Sequence, residues 1–150
     1  MSGGWLSALT FGERRSTGGE VDHRLARRSV IREYRAGRLR RDQVCDAHPE
    51  LIRAARHLGD ETEVTCPICR ADRVVLVTYV FGPRLPRHGR CVANRKEFDE
   101  LAAAARRQRG EPFTAYVVEA CRSCSWHHLL RSIPLSRPAI EAPSRRTAGR

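Results

Sequence analysis

Two short cysteine motifs constrain this chain more than any other feature. Cys66 and Cys69 enclose Pro-Ile, and Cys121 and Cys124 enclose Arg-Ser. A CxxC turn brings two sulfur atoms within reach of one ion, and two such turns supply four thiolates. Four thiolates complete a tetrahedral shell around Zn²⁺ at about 2.3 Å per bond, with no position left open for a substrate. The sequence therefore predicts one structural Zn²⁺ bound by Cys66, Cys69, Cys121 and Cys124.

The interval between the two motifs is long for such a site. It spans 51 residues, from Cys69 to Cys121, whereas compact zinc sites have roughly 15–20 there. One strand, one loop and one helix account for the extra length, and each CxxC motif lies beside a β-type segment. The alternatives are two unrelated cysteine pairs, or a redox disulfide within one pair.

The cellular compartment determines whether cysteines remain thiols or form disulfides. The N-terminus has no basic segment followed by a long apolar run, so we expect no signal peptide. No apolar run approaches the ~18 residues of a membrane-spanning helix, so we expect no membrane association. Cytoplasmic thiols stay reduced, and paired CxxC motifs there favour metal binding. We therefore expect a cytoplasmic protein.

Two further cysteines fall outside the predicted metal site. Cys45 follows Val44 beside a helix, where a small buried apolar side chain is the ordinary interpretation. Cys91 lies in a basic loop three residues after His88. That spacing suits a second ligand pair, but a free thiol is the simpler interpretation.

The segment after the second motif is rich in ring side chains. His127 and His128 directly follow Trp126, and Ser125 prevents a haem-attachment motif. We expect contact roles for the two histidines at a sheet edge. For Trp126 we expect core packing over the metal, with an exposed stacking platform as the alternative.

Apolar periodicity predicts an α+β fold, in which two knuckle-bearing hairpins form a zinc-ribbon-like antiparallel sheet flanked by helices. Asn94 with Glu97 three residues later resembles a helix N-cap. We expect a flexible N-terminal extension over residues 1–19, the domain over 20–133, and a disordered basic Pro-containing tail over 134–150. In chain order we predict a helix over 20–36, a turn over Asp42–Cys45, a helix over 49–58, a polar loop over 59–63, a strand over 74–81, a basic loop over 83–93, a helix over 94–109, and strands over 113–120 and 126–130.

The first predicted helix is densely basic. The chain has a net charge of +11, and Lys96 is the single lysine among 28 basic residues. Arginine is a planar, permanently charged fork suited to phosphates and carboxylates. Eight arginines lie between His23 and Arg41 against one acid, Glu33. At about 100° per residue several share a broad helix face. The candidate nucleic-acid-binding residues are Arg24, Arg28, Arg32, Arg35 and Arg38, with Arg27 beside them; the alternative is an ordinary solvated face.

These features predict a binding protein and not an enzyme. The sequence contains no nucleophile motif, phosphate-binding loop or dinucleotide-binding glycines. We expect a non-catalytic zinc module that binds nucleic acid or a nucleoprotein machine such as the ribosome or RNA polymerase. An acidic protein surface is a further candidate partner. The alternative function is a protein adaptor or a thiol-based redox regulator, with Cys45 or Cys91 as sensor.

Four segments together resemble an actinobacterial family of unknown function: VCDAHPELIRAARHLG, CPIC, VTYVFG and YVVEACRSCSWHHL. The resemblance covers roughly residues 20–135. It implies a zinc-ribbon-like cytoplasmic bacterial protein and brings no established activity. The matching positions are Cys45, Asp46, Ala47, Pro49, Leu51, Arg53, Ala54, Ala55, the four cysteines of the CxxC motifs, Trp126, His128 and Leu129.

Overall fold

The computed structural model describes residues 19–108 and 112–135. Its described part is an α+β fold with one antiparallel six-stranded sheet and four helices. The elements in chain order are β1 (Val21–Asp22), α1 (Arg24–Arg35), α2 (Arg41–Val44), α3 (Pro49–Leu58), β2 (Asp60–Thr65), β3 (Arg73–Phe81), β4 (Arg90–Val92), α4 (Arg95–Arg107), β5 (Thr114–Ala120) and β6 (His127–Pro134).

Two hairpins form most of the sheet. β2 pairs with β3 and β5 pairs with β6, and each hairpin has a CxxC motif at its turn. β3 and β5 lie side by side, so the strand order is β1-β6-β5-β3-β2, and β4 pairs with the second half of β3. Val75 near the start of β3 lies opposite Ala120 at the end of β5. Both cysteine turns therefore lie at the same end of the sheet.

Strand β3 is the centre of the core. Its β-branched residues fit a pleated surface, and all five positions from Val74 to Thr78 are buried. On one face Val74 packs with Ile31 of α1 and Val44 of α2, while Val80 packs with Phe98 of α4. On the other face Val75 packs with Ala55 of α3. The sheet thus has three helices on one face and a single helix, α3, on the other.

The helix boundaries follow local signals in the sequence. Asn94 caps α4 by accepting a hydrogen bond from the Glu97 N–H at 3.0 Å, as its position predicted. Pro49 is the first residue of α3, where its missing N–H costs nothing. Gly37 adopts a φ of +78° directly after α1, a conformation that favours glycine.

The predicted start of the first helix at residue 20 is wrong, because α1 begins at Arg24. Residues 21–22 form β1 and pair with Ser132 and Arg131 at the open edge of β6. Val21 in β1 and Leu25 in α1 are 50% and 77% exposed. Helical periodicity cannot detect a strand partner more than 100 residues away, and that partner decides how this segment folds.

The predicted polar loop at 59–63 is also wrong, because Asp60–Thr65 form strand β2. Its sequence is polar because β2 is an edge strand with mostly exposed side chains, and backbone pairing with β3 holds it. The predicted turn at Asp42–Cys45 contains the one-turn helix α2. The predicted basic loop at 83–93 contains β4.

The predicted terminal segments lie almost wholly outside the described residues. Gly19, Pro134 and Leu135 are the exceptions, and Leu135 is buried beside Phe98 and Phe113. Across the described ranges, no helix combines the length and hydropathy needed to cross a membrane.

Candidate metal centre and adjoining basic groove

The two CxxC turns, called here the first knuckle (residues 66–69) and the second knuckle (residues 121–124), have the same backbone geometry. In each, the residue after the second cysteine donates its N–H to the carbonyl of the first cysteine at 3.1 Å: Arg70 to Cys66 and Ser125 to Cys121. Arg70 and Ser125 also share a positive φ, +53° and +68°. This repeated turn places both sulfur atoms of each knuckle on its inner side.

The four knuckle cysteines meet in one cluster. Their Sγ atoms all lie within 4.8 Å of one another. The Sγ atoms of Cys66 and Cys124 are 3.6 Å apart, and those of Cys69 and Cys121 are 3.7 Å apart. A tetrahedral site with metal–sulfur bonds of about 2.3 Å has sulfur–sulfur edges of about 3.8 Å. The four cysteines therefore fit the geometry of a metal site and could hold one ion.

Burial differs among these sulfur atoms and sets their acidities apart. Burial raises the pKa of Cys66, and it raises the pKa of Cys124 to about 12. Burial opposes ionisation at Cys69 too, but the Ala71 N–H and the neighbouring thiols lower its pKa to about 7. Among Cys66, Cys69 and Cys124, Cys69 is thus the thiol that ionises most readily. Holding all four as thiolates requires a cation among them.

A fifth sulfur atom lies beside this cluster. Cys45, at the end of α2, donates a hydrogen bond from its thiol to the Sγ of Cys124 at 3.4 Å. The expectation of a purely apolar role was therefore incomplete, although Cys45 does pack against the core around Trp126. Groups that hydrogen-bond a metal ligand fix its orientation and tune the site.

Trp126 is buried against the four-cysteine cluster, at 1% exposure, as predicted. Its indole N–H donates to the Glu119 Oε1 at 2.7 Å, and the same oxygen accepts from the Arg27 Nε at 2.8 Å. The Glu119 side chain is only 4% exposed. Its buried position was readable in the sequence, since it follows Ala115 and Val117 in a period of two. The partner on α1 was not.

This buried ion pair joins α1 to β5, and a basic groove of about 730 Å³ lies beside it. The groove lies between α1 and the segment Val64–Pro67, and we call it the basic groove below. Among the described residues, none of its four outward arginines forms an ion pair. These four are Arg28, Arg32 and Arg35 from α1, and Arg70 from the turn after the first knuckle.

The remaining predicted arginines of this helix are held elsewhere. Arg24 pairs with Asp22 at 2.6 Å, and Arg38 pairs with Glu33 at 2.5 Å. Neither lines the basic groove. Sequence periodicity placed Arg24, Arg28, Arg32 and Arg35 on one broad face with Arg38 beside it, whereas local acids engage Arg24 and Arg38. It also missed Arg70, whose only signal was its position directly after Cys69.

Cys91 and three histidines lie outside the cluster of four cysteines. Cys91 and His88 line a groove on the sheet face that packs α3. His127 pairs with Asp46 at 3.0 Å, and the His128 ring stacks on Trp126. Within residues 19–108 and 112–135, the four knuckle cysteines are the one group of metal-ligating side chains close enough to share an ion.

Comparison with known sequences assigns the chain to a protein family. A profile described as "Family of unknown function (DUF5318)" matches residues 14–149. "Uncharacterized protein Rv0049" of Mycobacterium tuberculosis is 40% identical over 129 residues, which cover 86% of this chain and 90% of the relative. "Uncharacterized protein Mb0050" of Mycobacterium bovis has the same identity and coverage. No solved structure matches the chain.

Proposed function

The chain belongs to this family of unknown function, DUF5318, and we propose that it is a non-catalytic module in which one structural Zn²⁺ joins the two knuckles and supports a nucleic-acid-binding surface. In this proposal the basic groove tracks the phosphates of a nucleic acid, alone or within a nucleoprotein complex. The proposal has two parts, the metal and the partner, and each can be tested separately.

Zinc is the ion that best suits the donor set. Four thiolates in tetrahedral arrangement select Zn²⁺ or iron among common metals, and Zn²⁺ brings no geometric demand of its own. The free cysteines in the structure fit a reducing compartment, which supports a cytoplasmic location. Elemental analysis of freshly purified protein should find one zinc per chain. A preparation with neither zinc nor iron would contradict the metal part.

The unpaired arginines of the basic groove are the observation that favours nucleic acid. Arg28, Arg32, Arg35 and Arg70 converge on one concave surface without carboxylate partners among the described residues. Such a concentration of positive charge attracts a polyanion and raises its rate of association. An acidic protein surface would satisfy the same charges, and a comparison of salt dependence with sequence tolerance distinguishes the two.

The experiment is a titration of labelled single-stranded RNA and DNA at several salt concentrations. Four phosphate contacts predict a slope of log K against log salt of roughly −3. The double variant Arg28→Glu/Arg32→Glu should weaken binding on all sequences and reduce that slope by about half. The matched control is Lys96→Glu/Arg106→Glu, which makes the same change in net charge at exposed positions on α4.

Three outcomes decide the partner. Loss of binding in the groove variant but not in the α4 control supports the proposal. Equal loss in both variants means that net charge alone attracts nucleic acid. No binding by the wild type at low salt contradicts the proposal and favours an acidic protein as the partner.

The closed thiolate shell leaves no coordination position at which a metal could activate a substrate. We therefore expect no turnover of nucleotides, esters or peptides above that of a variant lacking a knuckle cysteine. The redox alternative has less support, because sensor thiols need a low pKa and exposure. Burial raises the pKa of Cys91 to about 11, and it also raises the pKa of Cys45.

A further inference from the structure

The sheet face that packs α3 contains a second, larger groove. α3 covers Val75 and Val77 but leaves the outer part of this face open. Tyr79 and Tyr116 are direct cross-strand partners there, and Phe81 meets Tyr116 edge-to-face with ring centroids 5.4 Å apart. These three rings form the floor of the aromatic groove, as we call it, which has a volume of about 1250 Å³.

Imidazole rings surround this floor. His48, His88 and His127 line the aromatic groove. His48 uses one ring nitrogen to cap α3, and His127 pairs with Asp46. Each of these two rings has a second nitrogen that can donate or accept a hydrogen bond.

The loop between β3 and β4 forms one wall and adds positive charge. Gly89 in this loop has a φ of +85°, and a Cβ there would come within 2.7 Å of the Phe81 ring, so the wall can approach the floor only with glycine. The same loop presents two exposed arginines without ion pairs among the described residues, Arg84 and Arg87.

We infer that the aromatic groove binds unpaired nucleobases of single-stranded nucleic acid, stacked on the Tyr79, Phe81 and Tyr116 rings. This inference rests on the proposed function and assigns it a second contact surface, on the opposite side of the sheet from the basic groove. Bases of any sequence stack on aromatic side chains, and nearby arginines neutralise the phosphates that connect them. Sequence-tolerant recognition of single strands on a sheet face uses the same combination of aromatic residues and positive charge.

Two properties of the groove favour a polymer segment over a small molecule. Its volume of about 1250 Å³ exceeds the ~300–1,000 Å³ of sites that enclose a drug-sized ligand. The floor is also uncharged at neutral pH, since a phenol ordinarily ionises only near pH 10, and burial raises the pKa of Tyr79 further, to about 12.

On the α3 side the lining adds Glu50 and Arg53, which pair with each other at 3.0 Å. On the loop side Arg84 and Arg87 are exposed near His88 and Gly89, so an anionic chain meets neutral rings with positive charge along one side. A purely apolar partner would leave the groove histidines and these two loop arginines without complementary groups.

The test separates bases from phosphates by using two probes of equal charge. One is a fluorescently labelled 12-nucleotide single strand, and the other is the same strand with every base replaced by an abasic tetrahydrofuran unit. The wild type should bind the base-containing strand roughly tenfold or more tightly than the abasic strand. The double variant Tyr79→Leu/Tyr116→Leu should lose this difference, whereas Tyr79→Phe/Tyr116→Phe should keep it, because phenylalanine retains the stacking surface.

Zinc content and circular dichroism of each variant verify that the fold is intact. If the leucine pair fails to fold, the phenylalanine pair and ultraviolet crosslinking still decide the question. A strand containing 5-bromouracil should crosslink to Tyr79, Phe81 or Tyr116 in the wild type, as mapped by mass spectrometry. Crosslinks confined to α1 would overturn the inference.

The outcomes distinguish this inference from the proposed function. One outcome is that the wild type binds the two strands with equal affinity, while the Arg28→Glu/Arg32→Glu variant reduces the salt dependence of binding. That result overturns base stacking and leaves the basic groove as the nucleic-acid surface. No binding of either strand at low salt overturns both proposals. A free mononucleotide that binds as tightly as the 12-nucleotide strand would also overturn the inference, because the groove would then recognise a small molecule.

Discussion

The two knuckles share one backbone geometry but have opposite surroundings. The first knuckle opens on the basic groove, with Pro67 and Arg70 at its surface. The second knuckle is covered by the segment between α2 and α3: Cys45 donates to Cys124, and the Ala47 N–H donates to the Ser125 carbonyl at 3.0 Å.

Under the proposed function, this difference would separate two tasks within one metal centre. The covered second knuckle is held by the chain itself, so its contacts stabilise the fold. The first knuckle has one side free for a partner, and α1 presents arginines beside it. Both knuckles would bind the same ion. The contacts that hold the covered second knuckle would therefore also keep the first knuckle in position. The predictions below test that division, beginning with the largest expected effect.

Loss of one ligand should affect both knuckles equally. Cys66→Ser and Cys121→Ser each remove a buried cysteine sulfur and would leave three ligands for the proposed Zn²⁺. Metal binding contributes folding free energy of the order of 10 kcal/mol in small zinc domains, so both variants should be largely unfolded and free of zinc. Circular dichroism and elemental analysis provide the measurement. A Cys66→Ser variant with wild-type stability would show that the metal does not hold this fold.

The buried ion pair should matter more than any other contact between α1 and the sheet. Glu119→Gln keeps a partner for the Trp126 N–H but leaves the Arg27 charge without its carboxylate. Breaking a buried pair from one side costs roughly 3–5 kcal/mol. We expect the lower end of this range, because the Arg27 side chain remains 19% exposed.

Denaturant unfolding measures this cost. A double-mutant cycle with Arg27→Met isolates the pair, since the double variant should recover part of the loss. If Glu119→Gln unfolds at the same denaturant concentration as the wild type, α1 is held by apolar packing alone.

Substitution of Cys45, the fifth sulfur atom, tests how much the covered second knuckle contributes to metal affinity. Cys45→Ala removes the thiol that donates to Cys124, and loss of such outer contacts typically lowers metal affinity 10- to 100-fold. Competition with a chromogenic chelator reports the zinc affinity directly. Cys91→Ala is the matched control, because it removes one thiol from the opposite sheet face. Equal zinc affinity in the two variants would mean that Cys45 only fills space.

The smallest expected effect is on the free energy of unfolding and concerns Asp46, an exposed residue of the segment between α2 and α3. Asp46→Asn removes the carboxylate that meets His127 at 3.0 Å, but both side chains are substantially exposed. Exposed ion pairs contribute about 0–1 kcal/mol, so the change in unfolding free energy should be below about 0.5 kcal/mol. Thermal unfolding at low and high salt measures it. A larger loss would show that the second knuckle depends on this contact as well as on Cys45.

Much of this architecture could be predicted because its signals are local. The β-branched run of β3, the cap at Asn94 and Pro49 at the start of α3 each depend on neighbouring residues. The paired CxxC motifs predicted the four cysteines that the structure brings close enough to hold one metal ion. β1 and β2 were missed because edge strands gain their stability from backbone partners far along the chain.

The sequence by itself determined the α+β class, the four cysteines and the basic helix, since composition, periodicity and motif spacing are properties of short segments. Only the tertiary structure decided which arginines remain unpaired, that Cys45 meets Cys124, and that Tyr79, Phe81 and Tyr116 share an open groove. Ion pairs, sulfur contacts and grooves depend on distances between residues far apart in the chain. Strand order and helix packing set those distances, and no local pattern encodes them.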